Sequence, residues 1–183
     1  MKCLLIRHGE TKSNLLRIYA GWSDEPLTER GILQAHHVAK LLTQYEVEVI
    51  YTSPLKRAVQ TAQIIAQQIK VPIIPEEGFV EMKMGPWEGK SEEEIATTYP
   101  EEWHIWQTRP AELRLPGRET LDQLLNRVLS AFYRIKMRNH KGLVVIVTHY
   151  AIVRVALLYA RGQDLNLYKT ITVPNCEPFE LEV

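Results

Sequence analysis

Lys2-Cys3-Leu4-Leu5-Ile6-Arg7-His8-Gly9-Glu10-Thr11 passes within ten residues from an apolar run to a basic pair, a glycine and a carboxylate. The first half reads as a buried strand, Lys2 to Ile6, because a continuous apolar run leaves no face for water. The second half leaves that strand at once with groups that bind anions or move protons. The same succession returns twice. Val47 to Thr52 reads as a strand, and Ser53-Pro54 then places a cap and a proline at a helix start, with Arg57 in the first turn. Leu143 to Val147 is the strongest strand pattern in the chain, and Thr148-His149 follows it directly.

Amphipathic stretches fill the spaces between. Thr28 is placed to cap a helix with apolar positions at Ile32, Ala35, Ala39 and Leu42. The helix after Pro54 continues through Ala58, Ala62, Ile65 and Ile69. Thr120 and Gln123 form a capping box ahead of an apolar face made of Leu121, Leu124, Leu125, Val128, Phe132 and Ile135. Arg134, Lys136 and Arg138 in its last turns complement the helix dipole. Ala151 to Ala160 reads as a helix. Val71–Ile74, Leu167–Val173 and Phe179–Val183 read as short strands. Strands alternating with helices specify an α/β fold. If the strands are parallel, their carboxyl ends share one rim, where ligands bind in open α/β sheets. His8, Arg57 and His149 would then converge on one anion pocket.

The 183 residues suit one compact domain, 1–183, with an irregular cover segment at about 79–118. Phe79 to Pro116 holds three of the four tryptophans and four of the ten prolines, with Ser91 and Glu94 set for a capping box. The 22 basic and 22 acidic side chains cancel. No whole-molecule field therefore draws the protein to nucleic acid or to a membrane, and affinity for an anion has to come from a local cluster. Two cysteines, Cys3 and Cys176, are too few for a disulfide framework and point to a reducing, cytoplasmic location. No signal-peptide core precedes Arg7, and the longest apolar run falls far short of a bilayer span. Gly-X-Gly nucleotide loops, zinc-protease motifs, paired-cysteine motifs and a Gly-X-Ser-X-Gly elbow do not occur. His36 and His37 are adjacent in an expected helix, where neighbours point about 100° apart, so they read as surface residues rather than a metal pair.

Leu5-Ile6-Arg7-His8-Gly9-Glu10-Thr11, with Asn14, resembles the signature of the histidine phosphatase superfamily, also called phosphoglycerate mutase-like. The resemblance continues in order: Gly21-Trp22-Ser23-Asp24 and Pro26-Leu27-Thr28-Glu29-Arg30-Gly31, Thr52-Ser53-Pro54-Leu55-Lys56-Arg57-Ala58, Glu81 with Gly85-Pro86-Trp87-Glu88-Gly89, Pro116-Gly117-Arg118-Glu119-Thr120, and Val145-Ile146-Val147-Thr148-His149. Size and motifs are most similar to the α-ribazole and broad-specificity phosphatase branch. The resemblance implies a three-layer sandwich with a mostly parallel central sheet flanked by helices.

It also implies hydrolysis of a small-molecule phosphomonoester, with His8 as nucleophile and a phosphohistidine intermediate. Arg7, Arg57, His149 and Asn14 would hold the phosphoryl group, and Glu81 would be general acid and then base. Neither a metal nor a cofactor is implied. A neutral imidazole attacks, and two nearby guanidinium groups disfavour its proton. Phosphoglycerate mutase-type transfer is the alternative, although only 67 residues lie between Glu81 and His149, where family mutases carry a longer insertion. A non-catalytic phosphate-binding module is the second alternative. Three positions depart from the pattern. Tyr150 stands where the family has glycine and either contacts substrate or packs on the sheet. Ala20 stands where some relatives have a polar contact. Arg118 replaces a glycine and reads as a solvated loop arginine or a contact for a second substrate anion. The oligomeric state stays open, a homodimer included.

Overall fold

Alternate residues of each strand enter two different cores. Leu4, Ile6, Ile50, Val145 and Val147 pack on one face of the sheet, and Cys3, Leu5, Val49, Tyr51, Val144 and Ile146 pack on the other. This period of two, with both faces buried, is what continuous apolar strands require. The computed structural model describes residues 1–182. Its sheet has five strands in the order β3-β2-β4-β1-β5. They are β1 Lys2–Arg7, β2 Val47–Thr52, β3 Ile73–Pro75, β4 Leu143–Thr148 and β5 Pro178–Glu182. The first four in that order run parallel, and β5 pairs antiparallel with β1. Val183, the expected end of the last strand, lies outside the described residues.

The short helix α1 is Lys12–Leu16. α2 (Glu29–Leu42) and α3 (Lys56–Ile69) cover the first face through Ala35, Val38, Ala39, Leu42, Ala58, Ala62 and Ile65. Thr28 caps α2 as expected, its hydroxyl accepting from the Gly31 amide. Ile32, expected on the apolar face, is exposed instead.

The segment between β3 and the next long helix is more ordered than its composition suggests. It contains α4 (Glu92–Thr98) and α5 (Pro100–Thr108), with a Ser91–Glu94 capping box, besides three short 3-10 turns. Trp87 and Trp106 are fully buried with Ile95 and Leu113, so the segment extends the core rather than lying over it. The second face is completed by α6 (Leu121–Lys136), which opens on the Thr120–Gln123 box, and by α7 (Tyr150–Ala160). The strand expected at Leu167–Val173 does not form; Leu165–Thr170 is a 3-10 turn capped by Asp164. Tyr168 in this turn is buried against Trp106.

The strand registers set the site. Arg7 lies opposite Thr148, and Thr52 lies opposite Val147. The His8 amide then donates to the Thr148 carbonyl at 2.9 Å, and the Ser53 amide to the Val147 carbonyl at 3.0 Å. Three parallel strands thus release their chains side by side on one rim.

Candidate active site

A cavity of about 610 Å³ opens on that rim, and Arg7, His8, Asn14, Arg57, Glu81 and Tyr150 all line it. His149 lies just beneath, fully buried, with its ring centroid 5.2 Å from that of His8. Backbone contact explains the local geometry. A Cβ on Gly9 would sit 2.4 Å from the Gly31 carbonyl oxygen, and one on Gly31 would sit 2.2 Å from the Glu10 carbonyl oxygen. The turn after β1 and the start of α2 touch through these two glycines, which presses His8 against the rim.

His8 is held in one tautomer. Its Nδ1 is 2.7 Å from the Gly9 carbonyl, which can only accept, so the hydrogen-bond network assigns the proton to Nδ1. Burial, then Arg57 and Arg7, push its pKa well below 6.5. The neutral ring therefore presents a bare lone pair at Nε2, which accepts from Arg57 Nε at 3.2 Å. The other Arg57 nitrogens donate to the Ser23 and Gly21 carbonyls at 2.6 and 2.8 Å, fixing the guanidinium plane. One Arg7 nitrogen donates to the Val173 carbonyl, while Arg7 Nε is buried without a protein partner among the described residues.

Ser53 is not the helix cap the sequence suggests. α3 starts two residues later than Pro54, after Leu55, and has no side-chain cap. The Ser53 hydroxyl accepts weakly from the Leu55 amide at 3.3 Å and lies 2.7 Å from His149 Nε2. Burial, then Arg57, keep His149 neutral, and its Nδ1 is buried without a partner among the described residues. Arg7 lines the cavity, and its orphaned Nε donor suits an oxyanion. An orphaned buried donor costs about 1–3 kcal/mol until a partner satisfies it.

Glu81 is buried at the cavity wall. Its Oε1 accepts from the Met82 amide at 2.6 Å, and its Oε2 from the Ala151 amide at 3.5 Å. Burial raises its pKa against the opposing pull of the Met82 amide and Arg57. Its backbone carbonyl is pinned by Trp22 Nε1 at 2.6 Å and by Arg127. Glu88, the other carboxylate in the motif that carries Glu81, is exposed and outside the cavity. Asn14 Oδ1 accepts from the Thr11 amide and from Asn175 Nδ2.

Tyr150 lines the cavity, with the Arg7 guanidinium 4.7 Å from its ring centroid. Arg118, read from sequence as a solvated loop residue, is instead buried between Trp87 and Trp106, its guanidinium 5.0 and 4.2 Å from the two ring centroids. It lies outside the cavity lining. Arg127, Asn175 and Arg154 escaped the sequence reading. Only Arg154 left a signal, as the lone charge in an otherwise apolar Ala151–Leu158.

Fold and pocket together define an α/β protein with a cationic, histidine-paired site at the carboxyl edge of its sheet. The chain matches the histidine phosphatase superfamily (branch 1) over residues 3–183 and belongs to that family. Phosphoserine phosphatase 1 of Hydrogenobacter thermophilus is 34% identical over 92% of this chain and 80% of its own length. Adenosylcobalamin/alpha-ribazole phosphatase of Escherichia coli is 31% identical over 88% of this chain and 78% of its own. The solved structure of Bacillus stearothermophilus YhfR superposes with a TM-score of 0.94 at 31% identity, covering 100% of this chain and 91% of that one. Other relatives carry the name phosphoglycerate mutase.

Proposed function

We propose that the protein is a phosphatase that hydrolyses a small-molecule phosphomonoester through a phosphohistidine on His8. The observation that carries this reading is the neutral His8 ring, whose Nε2 lone pair faces the Arg57 guanidinium inside an anion pocket. In the first step Nε2 attacks phosphorus and the P–O ester bond breaks. The departing alkoxide takes its proton from Glu81, whose raised pKa suits an acid. In the second step the Glu81 carboxylate takes a proton from water, the water oxygen attacks phosphorus, and the P–N bond breaks. Arg7, Arg57, Asn14 and His149 hold the equatorial oxygens, supplying charge and position where phosphoryl transfer needs them. The cytoplasm is the proposed location, which suits the two free, buried thiols.

The test is phosphate release from a panel of metabolite esters, with and without chelator, together with acid-quench detection of phosphohistidine. Release with a trapped His8 adduct is the expected result. Phosphoryl exchange with bisphosphoglycerate in place of net release would turn the assignment to a mutase. Neither release nor adduct would turn it to a binding module.

A further inference from the structure

Past Tyr150 the cavity runs on to a wall that phosphoryl transfer does not use. Arg154 stands there, one helical turn after Tyr150 in an otherwise apolar stretch of α7. A buried guanidinium in such a helix needs partners to offset its lost hydration. Its Nε donates to the Ile171 carbonyl at 2.7 Å, and Nη2 donates to the Tyr150 hydroxyl. Its plane lies over the Tyr150 and Tyr168 rings, 4.0 and 4.7 Å from their centroids. Among the described residues it makes no ion pair, its hydrogen bonds run through Nε and Nη2, and the residue lines the cavity. Lys169 lines the same wall, its Nζ 5.5 Å from the Trp103 and Trp106 ring centroids.

The charge balance of the lining is lopsided. Arg7, Arg17, Arg57, Arg154 and Lys169 face Glu10, Glu81 and Glu92. Glu10 is taken up by Thr28 and Arg30, and Glu81 is a buried acid. Glu92, beside the Tyr19 hydroxyl, is the one carboxylate of that set left to offset Lys169. A chain with no net charge therefore concentrates cations at a second place, away from His8.

We propose that Arg154, backed by Lys169, forms a second anion subsite, and that the substrates are phosphomonoesters whose alcohol carries a carboxylate or a second phosphate. This inference rests on the phosphatase reading and narrows it. The Tyr150 ring limits the reach. Arg7 and Arg154 approach it to 4.7 and 4.0 Å, so the two guanidinium carbons are no farther apart than those lengths laid end to end. A short carbon linker spans that gap.

Matched esters test it. O-phosphoserine is compared with phosphoethanolamine, which lacks only the carboxylate. 3-Phosphoglycerate is compared with glycerol 3-phosphate, and fructose 1,6-bisphosphate with fructose 6-phosphate. We expect kcat/KM to favour the member with the second anion by about tenfold or more, mainly through KM. Arg154→Met should collapse that ratio toward one, and Lys169→Met should lower it by less. Preference confined to the carboxylate pairs, or to the bisphosphate pair, identifies the anion. A ratio near one in every pair, or a ratio untouched in both variants, overturns the subsite while leaving the phosphatase reading intact. If Arg154→Met does not fold, Lys169→Met decides, because that side chain is half-buried and makes no ion pair among the described residues. If no ester turns over, calorimetric titration with phosphoserine and phosphoethanolamine takes the place of kinetics, and equal affinities overturn the proposal.

Discussion

His8 and His149 at one end of the sheet and His140 at the other have different kinds of partner. His140 precedes the amino end of β4, and both its nitrogens are occupied. Nε2 meets the Tyr51 hydroxyl at 2.9 Å, and Nδ1 meets Glu48 Oε1 at 2.6 Å. Glu48 Oε2 also accepts the Lys141 and Gly142 amides, so the group staples the approach to β4 onto β2. At the carboxyl ends, His8 Nδ1 donates to the Gly9 carbonyl and its lone pair meets only a cationic donor, while His149 Nδ1 is buried without a partner among the described residues. A satisfied histidine holds the chain together. The histidines at the cavity are kept neutral by burial and neighbouring cations, and the His8 lone pair faces a group that an entering anion can also engage.

The sharpest way to break that contrast is to delete one histidine from each end. His8→Ala should lower turnover on the order of 10⁴-fold or more and abolish the phosphohistidine, because the nucleophile itself is gone. His140→Ala should keep turnover within about twofold and lower the melting temperature by a few degrees, the cost of losing hydrogen bonds. Comparable activity losses in the two variants would end the distinction.

Glu81→Gln comes next. General acid catalysis is worth about 10²–10⁴-fold, so kcat should drop by that factor on alkyl esters and much less on p-nitrophenyl phosphate, whose leaving group needs no proton. The wild-type rate should fall as pH rises past the elevated Glu81 pKa, because the acid form is the one required. Glu88→Gln should leave both features in place, and a matching loss there would move the acid role off Glu81.

Arg57→Met should cost about 10²-fold or more and displace the acidic limb of the pH profile. The sign follows from the causes. Burial and the two arginines hold the His8 pKa down, so removing one cation lets it rise toward 6.5, and activity is then lost at a higher pH than in the wild type. A limb that stays in place, or that moves to lower pH, would mean Arg57 does not tune His8.

The site end was readable because each of its cations leaves a strand end directly. Arg7, His8, Arg57 and His149 each follow or begin near a strand end, which brings them together if the strands are parallel, and the family resemblance supplied their roles. The caps at Thr28, Ser91 and Thr120 were readable for the same reason, since each bonds an amide three residues away. What failed depends on distant partners. Leu167–Val173 has a strand-like pattern, but Tyr168 packs on Trp106 and the segment becomes a cavity wall. Ser53 looks like a cap and instead meets His149, 96 residues on. Arg118 looks like a loop cation and is clasped by Trp87 and Trp106. No local rule of spacing encodes these contacts.

The smallest effect should come from Glu48→Gln, and its pH dependence makes it informative. The Gly142 amide, then His140, hold the Glu48 carboxyl down to about 2. An unfolded glutamate titrates near about 4.3. Because the folded pKa is the lower one, the carboxylate contributes its stability above the unfolded value, and that contribution fades as pH falls toward 2. Melting temperatures of the wild type and the variant should therefore differ slightly at pH 7 and converge in strong acid, with turnover at pH 7 unchanged. A gap that widens on acidification would mean that Glu48 acts as a protonated donor. The staple at the amino end would then depend on a proton rather than on a fixed charge.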